Sequence, residues 1–146
     1  ITVSKNAFGA LPIQRISIDE AVSLLRKAHD GGITFFDTAR AYTDSEEKLG
    51  RAFAGMRDQI FLATKSHAGT PEALRRDLET SLRMLKTDYV DIYQFHNPAQ
   101  CYRPGDGTGM YEAMEAFRKE GKIRFISLSN HRPAVADEAI SSGLYV

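Results

Sequence analysis

Short apolar runs alternate with amphipathic segments along the whole chain, and this alternation restricts the fold more than any other feature. The runs cover residues 1–10, 33–36, 60–63, 89–95 and 123–128. They are nearly continuous rather than polar at every second position. That is the pattern of parallel strands buried on both faces. The segments between them carry helix signals. Ser17-Ile18-Asp19-Glu20 fits a capping box, with Leu24, Leu25 and Ala28 as the apolar stripe and Gly31-Gly32 as the stop. Thr43 and Glu46 repeat the capping spacing ahead of Leu49 and Phe53. Thr70-Pro71 reads as an N-cap followed by proline in the first turn, and Leu74, Leu78, Leu82 and Leu85 follow at helical spacing. Met110, Ala113, Met114 and Phe117 form another stripe, stopped by Gly121. Pro133 and Gly143 bracket a last helix.

The expected order is β-α five times over, with Leu144-Tyr145-Val146 as the start of a sixth strand. A doubly wound sheet and a (β/α)8 barrel both fit such a pattern. The first candidate strand is followed by Phe8-Gly9-Ala10-Leu11-Pro12, which is no glycine-rich dinucleotide turn. Strands two to five each end in a polar group suited to catalysis, and successive strand ends converge on one axis only in a barrel. A whole barrel takes about 250 residues, and this chain has 146. The expectation is a single partial barrel domain over residues 1–146, with two open sheet edges available for self-association.

The strand ends carry the chemistry. Asp37 closes the second run and Tyr42 follows five residues on. Lys65 closes the third and His96 the fourth. Reducing a carbonyl takes a proton on oxygen and a pair of electrons on carbon. No side chain gives up the latter, so a nicotinamide-type cofactor is implied. Tyr42 is the candidate proton donor. Lys65 is expected to lower the pKa of that phenol, Asp37 to hold Lys65 charged and in place, and His96 to orient the carbonyl.

These residues sit in motifs that resemble the aldo-keto reductases, and in particular a bacterial branch of them. Gly32-Ile33-Thr34-Phe35-Phe36-Asp37-Thr38-Ala39 with Tyr42 comes first, then Ser45-Glu46 and Leu49-Gly50. Ala63-Thr64-Lys65, Asp91-Ile92-Tyr93-Gln94-Phe95-His96 and the run from Gly121 to Asn130 follow in order. The resemblance implies a (β/α)8 barrel, incomplete in this chain, with NADPH or NADH as cofactor and aldehydes or ketones as substrates. It implies a catalytic tetrad of Asp37, Tyr42, Lys65 and His96. It also implies cofactor contacts at Gly9, Ala10 and Asp37, and at Ser129 and Asn130 for the nicotinamide carboxamide. The match runs out near the sixth strand, ahead of the loops in which the family holds the dinucleotide phosphate.

Several classes are disfavoured. Formal net charge is zero, with 19 basic and 19 acidic residues, so no electrostatic footprint points to nucleic acid. No apolar run reaches a membrane span and no leader is expected. One cysteine, Cys101, makes no internal disulfide and fits a reducing cytoplasm. No close ligand spacing supports a metal. His67 and His131 lie in loops that could line the pocket, and Tyr102 and Arg103 lie in a loop, 97–109, that could cover it. Two rival readings stand beside the reductase: a nicotinamide-sensing or partner-binding module without turnover, and an inactive half-barrel.

Overall fold

The computed structural model describes residue 3 and residues 5–146, so Ile1, Thr2 and Ser4 of the first expected strand lie outside the described residues. Five strands form one sheet in the order β1-β2-β3-β4-β5. They are β1 (Ala7–Gly9), β2 (Phe35–Asp37), β3 (Phe61–Ser66), β4 (Val90–His96) and β5 (Ile123–Ser129), and each pair of neighbours is parallel. A doubly wound sheet reverses its strand order at a switch point. Here the order follows the chain without reversal, which is the winding of a barrel and settles the alternative left open by sequence.

Five helices connect the strands: α1 (Ile18–Asp30), α2 (Ser45–Ala52), α3 (Pro71–Leu85), α4 (Met110–Lys119) and α5 (Pro133–Ser142). The α1 capping box forms as expected: the Ser17 hydroxyl accepts from the Glu20 N–H while the Ser17 N–H donates to the Glu20 carboxylate at 2.9 Å. The Thr70 hydroxyl likewise accepts from the Ala73 N–H. Two details differ from expectation. Thr43 does not cap α2: the N-cap is Asp44, and Thr43 holds a left-handed φ of 41°. Leu24 lies on the solvent side of α1, while Ala21 and Leu25 are the residues buried there.

Strand parity sorts the side chains. Phe36 packs on Phe53 beyond α2, with ring centroids 4.5 Å apart, and Tyr93 approaches Phe117 of α4. These mark the helix-covered face of the sheet, where Leu62, Leu74, Leu78 and Met114 join the same apolar cluster. The opposite face carries Phe35, Phe61 and Phe125, with Phe35 edge-on to Phe61 at 5.5 Å. Asp91, fully buried near the start of β4, binds Arg57, Arg124 and the Leu62 N–H, and so ties the lower ends of β3, β4 and β5. The expected sixth strand is not formed as such. Residues 144–146 nevertheless run beside β5: the Val146 N–H donates to the Ile126 carbonyl at 3.1 Å, and the Ser127 hydroxyl donates to the Val146 carbonyl at 2.6 Å.

Candidate active site

In a parallel sheet, residues paired across strands point to the same face. Gly9 pairs with Asp37, Lys65 with Gln94, Gln94 with Ser127, and His96 with Ser129. All seven therefore share the face turned away from the helices, at the C-terminal ends of the strands. That is where barrel enzymes build their sites.

The centre is an ion pair. Lys65 Nζ donates to Asp37 Oδ2 at 2.5 Å and to the Thr38 carbonyl at 2.8 Å. Gln94 Nε2 donates to the other carboxylate oxygen, Asp37 Oδ1, at 2.9 Å. The Lys65 side chain is 6% exposed and Asp37 32%, so the ammonium sits inside while the carboxylate reaches the rim. A buried ammonium is tolerable only when its donors are taken, and here a carboxylate and a carbonyl take two of three.

Tyr42 joins this centre through its loop rather than through a strand. The Arg40 N–H donates to the Lys65 carbonyl, the Tyr42 N–H to the Ala39 carbonyl, and the Ser45 N–H to the Tyr42 carbonyl. Beneath it, the Thr38 and Ser45 hydroxyls lie 2.9 Å apart and Ser45 donates on to the Ala10 carbonyl. Arg40 is clamped by the buried carboxylate of Glu46, which also accepts from Thr64 Oγ1 at 2.7 Å. The half-buried Tyr42 ring ends with its centroid 5.5 Å from Lys65 Nζ and 5.8 Å from the His96 ring, edge-on at 87°. The four expected catalytic residues are thus brought together in one place.

One electrostatic expectation is overturned. The Tyr42 phenol is pushed up from its ordinary pKa, first by burial and second by the Asp37 charge. Lys65 does not offset this, because its ammonium is bound to Asp37 and Thr38. His96 moves the other way, down to about 4, through burial, then the neighbouring His67, then Lys65; Asp37 opposes the shift and His131 adds to it. His96 Nδ1 is buried without a hydrogen-bond partner among the described residues. A neutral ring is the form such a site accepts.

The expected cofactor residues divide. Gly9 is exposed at the end of β1, and a Cβ there would meet nothing, so its backbone is open to a ligand. Ala10 is buried, with its N–H given to Asp37 and its carbonyl held by Ser45, so it presents neither group. Ser129 is half-buried beside His96. Asn130 donates to the Pro98 carbonyl at 2.7 Å and accepts from the Arg132 N–H at 2.8 Å. That leaves one amide N–H and one oxygen lone pair for a ligand. A cavity of about 160 Å³ adjoins the centre, lined by Ser66, His67, His96, Asn97 and Tyr102 among others. His67, expected only to line a pocket, stacks on His96 with centroids 3.9 Å apart. His131 contributes charge, as noted. Tyr102 lines this cavity, whereas Arg103 pairs with Glu138 at 2.8 Å. Cys101 is buried against Val135 and Ala139 rather than exposed on a flexible cover. A larger groove, about 650 Å³, lies between α3 and α4 and contains none of the site residues. Among the described residues no group of three or more His, Cys, Asp or Glu could hold a metal, and no helix is long and apolar enough to cross a membrane.

Sequence reasoning passed over two contributors. Gln94 had no assigned role, and only the β3–β4 register reveals that it faces Asp37. Glu46 was read as a capping residue, and its burial beneath Arg40 and Thr64 follows from the turn that brings α2 under the β3 strand.

Known proteins resemble this chain in sequence and fold. The aldo/keto reductase family model matches residues 6–145. Aldo-keto reductase YhdN of Bacillus subtilis is 40% identical over 129 residues, 77% of this chain and 38% of that protein. Methylglyoxal reductase YeaE of Escherichia coli is 36% identical over 118 residues, 75% of this chain and 38% of that protein. An aldo/keto reductase from Klebsiella pneumoniae, solved with NADP and acetate, superposes with a TM-score of 0.79 at 35% identity, covering 92% of this chain and 48% of that one. A holo aldo-keto reductase from Bacillus halodurans gives a TM-score of 0.85 at 28% identity, covering the whole of this chain and 52% of that one. The five strands and their helices match these barrels over about half their length. The chain also spans about half the length, or less, of the curated relatives it matches. With its winding, its strand-end residues and a family match over nearly every residue, the chain belongs to the aldo/keto reductase family.

Proposed function

We propose that the protein carrying this chain is a nicotinamide-dependent oxidoreductase that reduces aldehydes or ketones to alcohols. The observation that carries the reading is the convergence of Asp37, Lys65, His96 and Tyr42 on one strand-end site, within a family whose solved members include NADP and NADPH complexes. The residues present fit such a cofactor. Gly9 offers unobstructed backbone, Asn130 keeps an unused amide N–H and lone pair, and Ser129 stands beside them. When bound, a nicotinamide supplies the electron pair and hydrogen that no side chain here can give.

The chain's own residues do the rest. Tyr42 gives its phenolic proton to the carbonyl oxygen. Its raised pKa keeps the phenol, the form able to donate, dominant through neutral pH. Lys65, held by Asp37 and Thr38, stands with its ammonium 5.5 Å from the centroid of the Tyr42 ring and fixes Asp37 on that side of the site. Asp37, pinned on both oxygens by Lys65 and Gln94, keeps that ammonium in place. His96, neutral, donates from its Nε2–H and aims the carbonyl. The single cysteine is buried, which suits a reducing compartment such as the cytoplasm.

Titration with NADPH and with NADH, followed by their oxidation over a panel of small aldehydes, tests the reading in the full chain. Cofactor binding with turnover of at least one carbonyl is expected. Binding with no turnover across the panel would favour a sensing module. The open inner face, with Phe35, Phe61 and Phe125 only partly buried, favours a half-barrel without chemistry as the second reading. Absence of any cofactor binding would support it.

A further inference from the structure

His67 is an ionisable residue in ring contact with His96 that the proposed chemistry does not use. It lies just past the end of β3 and is exposed to solvent, while its ring lies against His96 at 3.9 Å and 13° from parallel. Tyr42 meets the same imidazole edge-on from another side. His96 is therefore held between a flat face and an edge, and its Nδ1 is enclosed without a partner among the described residues.

We propose that His67 is a positioning residue: stacked on His96, it fixes the rotation of that ring toward Tyr42 and selects the neutral Nε2–H tautomer. The inference rests on the reading that His96 orients the carbonyl. Two arguments from geometry lead to it. A doubly protonated His96 would have an Nδ1–H with no acceptor, and an unpaired buried donor is costly. A second ring able to carry a proton, lying flat at 3.9 Å, disfavours a cation on His96. The other groups facing His96 are Lys65 from β3, Asp37 from β2, Tyr42 from the β2–α2 loop and His131 after β5. Lys65 and His131 act in the same direction as His67, and Asp37 acts against it.

The stack also serves the reaction. An imidazolium at His96 would add a mobile proton and a second cation next to Lys65. A neutral ring offers one directed N–H and leaves Tyr42 as the proton source.

The test follows imidazole ¹⁵N and ¹³C shifts against pH in the full chain, for the wild type, His67→Phe and His67→Gln. His67→Phe keeps a flat ring but removes the second ionisable group. His67→Gln removes both. The wild type is expected to show a His96 midpoint near 4 and an Nε2–H shift pattern. In His67→Phe the midpoint should rise toward the ordinary ~6.5, with the nuclear Overhauser contacts between His96 and Tyr42 retained. In His67→Gln it should also rise, and those contacts should weaken. Unchanged midpoint, tautomer and Tyr42 contacts in both folded variants would overturn the proposal. None of these readouts needs cofactor or turnover, so the result is distinct from failure of the reductase reading, which cofactor titration and aldehyde reduction decide.

Discussion

At the scale of single residues, the site works by giving each ionisable group one partner set. Lys65 spends its charge on Asp37 and Thr38, Gln94 closes the remaining oxygen of Asp37, and Tyr42 and His96 are left without a counter-charge of their own. This explains the directions of their shifts: burial raises a phenol and lowers an imidazole alike, because it disfavours the charged form of each. The sign of the pH effect on stability follows. His96 titrates near 4 in the fold and near ~6.5 when unfolded. Between those values the unfolded chain holds more protons, so stability is complete above the upper value and is lost as pH falls toward the lower. Urea unfolding at pH 7, 5.5 and 4 should show a larger decline for the wild type than for His96→Asn, which cannot take up that proton. Parallel declines would show that His96 is not held neutral by the fold.

The convergence of Asp37, Lys65 and His96 was legible because the motifs around them are local and each ends an apolar run. Their partners were not legible, because partnership depends on register. Nothing in sequence aligns Lys65 with Gln94, or shows that Lys65 is too fully occupied by Asp37 to acidify Tyr42. The burial of Cys101 was not legible either, because Leu128 and Tyr145 cover it from distant parts of the chain.

At the scale of elements, helix signals were read well where a side chain caps its own backbone, as at Ser17 and Thr70, since that bond is local. The start of α2 was misplaced because tertiary bonds, not a cap, define it: Lys48 inserts its ammonium among the Ile13 carbonyl, the Ile16 carbonyl and Asp44. The contact of α2 with α3 turns on Gly50. A Cβ at that position would stand 2.2 Å from the Met84 carbonyl oxygen and 2.8 Å from the Leu85 carbonyl carbon. Alanine would gain ~1 kcal/mol in helix propensity. Against that, backbone rather than a flexible side chain must move, and overpacking of this kind costs ~1–3 kcal/mol or more. The clash wins, so Gly50→Ala should lower the urea midpoint with an unchanged slope. A midpoint equal to or above wild type would mean that α2 and α3 are not packed backbone to backbone.

At the scale of the whole molecule, the sheet is an arc with β1 at one edge and β5 at the other. The β5 edge is partly covered by residues 144–146, through Val146 and Ser127. The β1 edge and the inner row of Phe35, Phe61 and Phe125 are less enclosed. Paired, covered or charged edges stay monomeric, while open ones recruit strands. The 146-residue chain should therefore self-associate in a concentration-dependent way in sedimentation velocity, and Ala7→Lys, at the exposed position of β1 beside Phe35, should reduce that association. A monodisperse monomer at all concentrations would show that the edges are closed.

The central claim is that the phenol of Tyr42 delivers the proton in carbonyl reduction, with Lys65, Asp37 and His96 arranged around it. The most direct measurement is turnover of an aldehyde by wild type and Tyr42→Phe, with the dissociation constant for NADPH measured on each. The account predicts unchanged cofactor affinity and a kcat lower by about 10²–10⁴-fold, the usual worth of a positioned general acid. Wild-type turnover in the Phe variant, with cofactor still bound, would contradict it.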